Sequence, residues 1–344
     1  MAYTTIDNPE LYFQTKLYTG NGSTNAITLD GSENMQPDWV WIKDRTVGFD
    51  HVLQDSVRGT TKIINSNQNY AEFTNANSIT SFNSDGFTTG SYVATNQNTT
   101  PFVAWNWKAG TSFTNDASST GVGSIDSAGS VNTDAGFSIT SYTGTGSAAT
   151  VAHGLGVVPS VYILKNRTST SNWFFYHKST GATKSLFLDG TDAPITSSGY
   201  FNNTEPTSSV FSIGSESDLS GSSQNMIAYC FAEKKGYSKF GSYTGNGGNQ
   251  FIYTGFKPSF VIEKRSSNTS EWDMYDNKRN TFNSVTKVLK PNASDAEATY
   301  GGLNFLSNGF EAKGSLNDSG QTLIYMAFAE SSFVTSTGIP TTAR

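Results

Sequence analysis

Pro37-Asp38-Trp39-Val40-Trp41-Ile42-Lys43 returns as Pro159-Ser160-Val161-Tyr162-Ile163-Leu164-Lys165 and again as Pro258-Ser259-Phe260-Val261-Ile262-Glu263-Lys264. Each copy is a proline, a short apolar run and a lysine at one fixed spacing. A run this short is a strand rather than a helix, and near-continuous apolarity predicts a strand covered on both faces. The proline stands before the strand, where its missing N–H costs no ladder bond.

The register extends outward in both directions. Tyr18-Thr19-Gly20-Asn21-Gly22, Tyr142-Thr143-Gly144-Thr145-Gly146 and Tyr243-Thr244-Gly245-Asn246-Gly247 precede the three runs. His51, Trp173 and Trp272 follow them at one common offset. Thr61-Lys62, Thr183-Lys184 and Thr286-Lys287 come next, the last delayed by four residues. Each copy closes on an aromatic-rich strand, at Phe102 to Trp107, Met226 to Phe231 and Leu323 to Phe328. Fixed-period self-similarity is the signature of repeated structural units. Turn pairs such as Asp85-Gly86 and Asn308-Gly309 supply the positive φ of tight hairpins.

These features predict an all-β chain of three tandem β-sandwich modules, jelly-roll-like in character. Residues 1–11 form an N-terminal arm and residues 12–109 the first module. Residues 110–133 are rich in Ser, Gly and Thr without an apolar period, and read as a flexible linker. Residues 134–235 and 236–334 form the second and third modules, which abut, and residues 335–344 a tail. The first module, set apart, is expected to anchor while the abutting pair faces outward.

Composition narrows the function classes. Charged residues are 15% of the 344-residue chain and the net charge is −6. Without a basic patch, phosphate-driven nucleic-acid binding is not expected. The single cysteine, Cys230, sits in an apolar run and reads as a core residue. No apolar run reaches the ~20 residues of a membrane span. The N-terminus lacks a basic-then-apolar leader, which predicts synthesis in a cytoplasm without general secretory export.

Chemistry-bearing motifs are sparse. His51 stands where the other copies have tryptophan and reads as a core or edge residue. His153 lies in a glycine-rich loop, and His177 belongs to no fixed catalytic pattern. Neither a Gly-x-Ser-x-Gly elbow nor a Gly-Lys-Ser/Thr phosphate loop occurs. No cofactor, metal or catalytic residue is therefore expected, and the chain is read as a non-enzyme. A glycosidase needs only two carboxylates, and Glu33, Asp44, Asp50, Asp55, Glu263 and Asp273 could supply a pair. None recurs in all three copies.

Trp39, Trp41, Trp105 and Trp107 lie within strands and read as core. Trp173 and Trp272 follow polar loops, so they are candidates for partial exposure and ligand contact. Lys43, Lys165 and Lys264 read as strand ends at the solvent edge, their stems on apolar surface. Ligand contact is the alternative for all three, with Lys165 and Lys264 the candidates kept.

The opening Met1-Ala2-Tyr3-Thr4-Thr5-Ile6-Asp7 through Tyr18-Thr19-Gly20 resembles structural proteins of marine tailed phages, as do Pro37 to Lys43 and Asp55-Ser56-Val57-Arg58-Gly59. His153-Gly154-Leu155-Gly156 with Pro159 and Lys165 is similar to a repeat of phage tail-fibre and appendage proteins. The resemblance implies a virion protein made in the host cytoplasm. Its expected partners are other virion proteins and a host-surface glycan or receptor, and the expected assembly is a homo-oligomer, with a trimer favoured. A tail-fibre adhesin, a capsid decoration protein or head fibre, and a lectin or glycan-degrading protein all fit.

Overall fold

The computed structural model describes residues 3–341. Its regular structure is mostly strand, and the helices are single turns. The protein is all-β.

Each repeat builds an inner antiparallel sheet in one strand order. In the first repeat the opening strand Phe13–Thr19 pairs with the closing strand Pro101–Trp107. That strand pairs with the proline-led strand Trp39–Asp44, which pairs with Val52–Asp55. Phe137–Thr143, Asn225–Phe231, Val161–Asn166 and Phe174–His177 repeat this order. So do Ser238–Thr244, Thr322–Ser332, Phe256–Arg265 and Trp272–Asp276. The register is preserved: Trp39 faces Trp107, Val161 faces Phe231 and Phe260 faces Phe328. An outer sheet accompanies each inner one. It has three strands in the first repeat, two in the second and four in the third.

The period of two along the proline-led strands sends alternate side chains to two different cores. Val40 and Ile42 pack in the first repeat's own core, Tyr162 and Leu164 in the second's, and Val261 in the third's. Trp39, Trp41, Val161, Ile163, Phe260 and Ile262 point the other way, into one core shared by all three inner sheets. Rings dominate that core. Trp39 stacks on Tyr229 at 4.4 Å, and Trp107 meets both Phe260 and Phe328 edge-on. A void of only about 10 Å³ remains at its centre, too small to hold more than about one water.

Two sequence expectations are corrected here. Residues 110–133 are not a flexible linker. Thr111–Asn115 and Ser127–Asn132 form a hairpin that adds two strands to the second inner sheet. Gly129 serves close approach rather than flexibility, since a Cβ there would lie 1.9 Å from the Ile139 carbonyl oxygen. The first repeat is not set apart either, because its inner sheet packs in the same core as the other two.

The described part of the N-terminal arm docks on the third repeat. The Tyr3 hydroxyl donates to the Gly255 carbonyl and Ile6 enters the shared core. The tail folds back onto the arm through Ser336, whose backbone N–H and hydroxyl both donate to Asp7. Residues 1–2 of the arm and 342–344 of the tail lie outside the described residues.

Candidate functional site

Trp173 and Trp272 are buried, at 0% and 1% exposure, as are Lys165 and Lys264 at 0% and 1%. The expected partial exposure is wrong, and so is the solvent edge for the lysines. The preceding loops are polar and largely exposed, but the tryptophans and lysines themselves lie against the neighbouring repeat. Trp173 Nε1 donates to the Asn65 carbonyl of the first repeat at 2.8 Å. Trp272 Nε1 donates to the equivalent Phe187 carbonyl of the second at 2.9 Å. His51, the aligned residue of the first repeat, contacts the equivalent Lys290 carbonyl of the third at 2.9 Å. The three contacts run in one cyclic sense, each repeat reaching into its neighbour.

The lysines follow the same scheme. Lys165 Nζ donates to the Asn69 carbonyl of the first repeat and to Ser171 of its own loop. Lys264 Nζ donates to the Thr191 carbonyl of the second repeat and to Ser270 and Arg265 of its own. Lys43 instead pairs with Asp44 at 2.7 Å. Each of the neighbour's carbonyls, which already accepts from a backbone N–H, gains a second donor this way. Trp272→Phe removes the N–H together with part of the buried ring and leaves the Phe187 carbonyl with only the 3.2 Å bond from the Gly190 N–H. It is expected to cost about 1–3 kcal/mol in urea unfolding.

A charged network reinforces two of the three seams. Between the first and second repeats, Arg58 Nε meets Asp55 at 2.5 Å and Arg58 Nη1 meets Glu72 at 3.1 Å. Arg167 grips Glu72 with two bonds of 3.0 Å, and the Tyr229 hydroxyl donates to Asp55 at 2.7 Å. Between the third and first repeats the aligned set is Asp276, Arg279, Glu297 and Arg45, with Trp105 Nε1 donating to Asp276 at 3.2 Å. At the remaining seam all five positions are neutral: His177, Thr180, Pro194, Ser266 and Met326. There His177 Nε2 meets the Tyr325 carbonyl at 3.3 Å. Sequence reading missed this network, although Asp55/Arg58 and Asp276/Arg279 recur at one offset and could have signalled it.

No histidine is a free base. His51 Nδ1 accepts from Trp41 Nε1, leaving Nε2–H for the Lys290 carbonyl. His153 Nδ1 accepts from the Leu155 N–H and its Nε2 faces the Thr207 carbonyl. His177 Nδ1 accepts from the Ser179 N–H. Burial pushes His153 and His177 down to about 4 and His51 well below the usual imidazole range. Each is a neutral tautomer held at both nitrogens. Among the described residues no three His, Cys, Asp or Glu side chains converge as metal ligands.

Of several depressions among the described residues, two bear on a site. A broad trough of about 800 Å³ lies beside the inserted hairpin, edged by Asp116, Asp126, Thr143 and Arg167. A narrower cleft of about 190 Å³ opens in the third repeat, lined by Glu263, Arg265, Glu271, Asp273, Tyr300 and Leu316. Of the six carboxylates considered from sequence, the fold brings Glu263 and Asp273 face to face across adjacent strands. Asp44, Asp50 and Asp55 are committed to structural bonds in the first repeat.

The model of the family described as "Domain of unknown function (DUF7483)" matches residues 8–332, nearly the whole chain and all three repeats. The chain belongs to this family. No curated protein matches it.

For this DUF7483 domain, the third-repeat cleft carries the most perturbed acid outside the seams. Burial, with repulsion from Asp273 adding to it, pushes the Glu263 carboxyl up to about 8. A raised folded value favours the protonated form. Its contribution to stability is complete below the ordinary value of 4.5 and is lost as the pH rises through about 8. The stability of the native chain relative to Glu263→Gln is therefore expected to fall between pH 4.5 and 8 and to level off above. Urea unfolding of both proteins across that range measures it.

Proposed function

We propose that this chain is a non-enzymatic structural protein of a phage virion, a tail-fibre or appendage adhesin that contacts the host surface. We take it to comprise three tandem jelly-roll-like β-sandwich modules. An inner sheet, an outer sheet and a private core in each repeat support that division. The observation that carries the functional reading is the role of the recurring residues. Trp173, Trp272, Lys165 and Lys264 join one repeat to the next instead of meeting a ligand. A unit tied together internally, with polar loops outside, suits a particle component better than a turnover site. The resemblance to phage appendage repeats points the same way.

Other virion proteins and a host-surface glycan or receptor are the partners we favour, with a homotrimer as the assembly. The edge strand Gln250–Tyr253, where Phe251 and Tyr253 are about half exposed, offers an edge that a second copy could extend. The acidic balance supports a partner other than nucleic acid. No helix of the described residues is long and apolar enough to cross a membrane.

One observation favours the second reading, a capsid decoration protein or head fibre. The three inner sheets close around a single core rather than stacking in line, which gives a block rather than a shaft. Cryo-electron microscopy of purified particles with immunogold labelling tests both readings. Density on the tail supports the first and density on capsomers the second, while a protein absent from the particle sinks both.

A further inference from the structure

The third repeat departs from the other two at one pair of positions. Ile42 faces Val52 and packs in the first repeat's core. Leu164 faces Phe174 in the second. The aligned pair in the third repeat is Glu263 and Asp273, in the same cross-strand register. Two carboxyl groups replace two apolar side chains inside a fold that elsewhere fills this place with hydrocarbon. Burying them is costly unless they are hydrogen-bonded.

The hydrogen bonds are incomplete. Glu263 is 1% exposed, and its Oε1 meets the Tyr243 hydroxyl at 3.0 Å. Tyr243 also lies 2.8 Å from the Leu316 carbonyl. Its one proton serves that carbonyl when Glu263 is protonated and donates to Tyr243 in turn. Glu263 Oε2 is buried with no partner. Arg265 lies two residues along the strand, so on the same face. Its Nη2 bonds Ser315 and Asp318, but its Nε is buried without a partner. Tyr300 stands across the cleft at 37% exposure, its hydroxyl donating to Asp273 at 2.7 Å. The strand that carries it is bulged: Val285 pairs with Leu303 but Lys287 with Thr299. Bulges of this kind re-aim side chains.

An orphan acceptor and an orphan donor thus share one cleft. A cation supplies only donors or charge, and an anion only acceptors. A hydroxyl group does both. Room of about 190 Å³ beside an aromatic ring suits one sugar ring rather than a chain of them.

We propose that the cleft formed by Glu263, Arg265, Asp273 and Tyr300 is a binding site for a single neutral, hydroxyl-rich sugar unit. The sugar's hydroxyls donate to Glu263 Oε2 and Asp273 and accept from Arg265 Nε, with the ring against Tyr300. The inference rests on the adhesin reading only for the source of the sugar, a surface glycan. The chemistry of the cleft stands without it, and location on a particle is measured separately.

The test uses the full chain and a panel of free hexoses, 6-deoxyhexoses and N-acetylhexosamines, read by saturation-transfer NMR and calorimetry. At least one sugar is expected to bind, with weak affinity for an isolated unit. Glu263→Ile with Asp273→Val installs the first repeat's own residues, so the variant is expected to fold with unchanged or raised Tm and to bind at least about tenfold more weakly, the loss of about one buried hydrogen bond. Arg265→Met, which removes the orphan donor from a partly exposed side chain, is expected to do the same if the double variant does not fold. No binding by any sugar to the native chain overturns the proposal and leaves the cleft a hydrated gap. Undiminished binding by Arg265→Met overturns it as well and places the sugar elsewhere, the broad trough included.

Discussion

A chain cut to residues 12–109 is expected not to fold to a stable monomer. Phe13, Trp39, Trp41, Trp105 and Trp107 are all at most 2% exposed, and all face the shared core. Their partners there include Tyr229, Phe231, Phe260 and Phe328 from the other repeats. Cutting away those partners puts five large rings into water. At roughly 1.5–3 kcal/mol for each large apolar side chain, the loss is comparable with the roughly 5–15 kcal/mol that holds a typical domain folded. The exposed rings would also drive association. Circular dichroism and analytical ultracentrifugation of the fragment check this, against a single calorimetric transition for the full chain. A monomeric fragment with a cooperative unfolding transition is the result that contradicts it. The same physics ties the first repeat to the other two as one packing unit.

Arg58→Thr is expected to destabilise the protein by about 3–5 kcal/mol, and Asp55→His added to it to restore part of that loss. The Arg58 side chain is wholly buried between Asp55, itself wholly buried, and Glu72. Removing the guanidinium leaves the Asp55 carboxylate in the interior with only the Tyr229 hydroxyl and the Arg58 backbone N–H to stabilise it. The third seam shows the alternative solution, because His177 and Thr180 stand there in place of Asp and Arg. The double variant transplants that neutral pair. Contacting residues in one network are strongly non-additive, so the double variant should be more stable than the single one by more than about 1 kcal/mol. Urea denaturation with unchanged m-values measures this. Equal stability of the two variants would falsify the concerted exchange and leave the seams as independent substitutions.

Much of the architecture was legible in the residues themselves. The proline-led runs, the aromatic closing strands and the fixed offsets between them identify three homologous strand sets, and the structure pairs those sets in one order. Cys230 and the strand tryptophans lie in cores as read. The candidate site was legible only in part. Glu263 and Asp273 stood among the carboxylates capable of pairing, but Arg265 and Tyr300 did not stand out. Tyr300 reaches the cleft through a strand bulge, which leaves no periodic trace.

What the sequence by itself determined is local: strand length, alternation, turn positions and a repeat period, because these depend on backbone conformation and near neighbours. That the proline-led strands are apolar on both faces could also be read, and it demanded a cover for each face. Which element supplies the second cover was decided only by the tertiary structure, where the other two repeats do so. For that reason Trp173 and Trp272, flanked by polar loops, are buried, and Lys165 and Lys264 end in a neighbour's carbonyls. The glycine-rich stretch after the first repeat is likewise a hairpin rather than a linker. Burial at a seam depends on residues roughly a hundred positions away in the chain, and no local pattern records what will be packed against it.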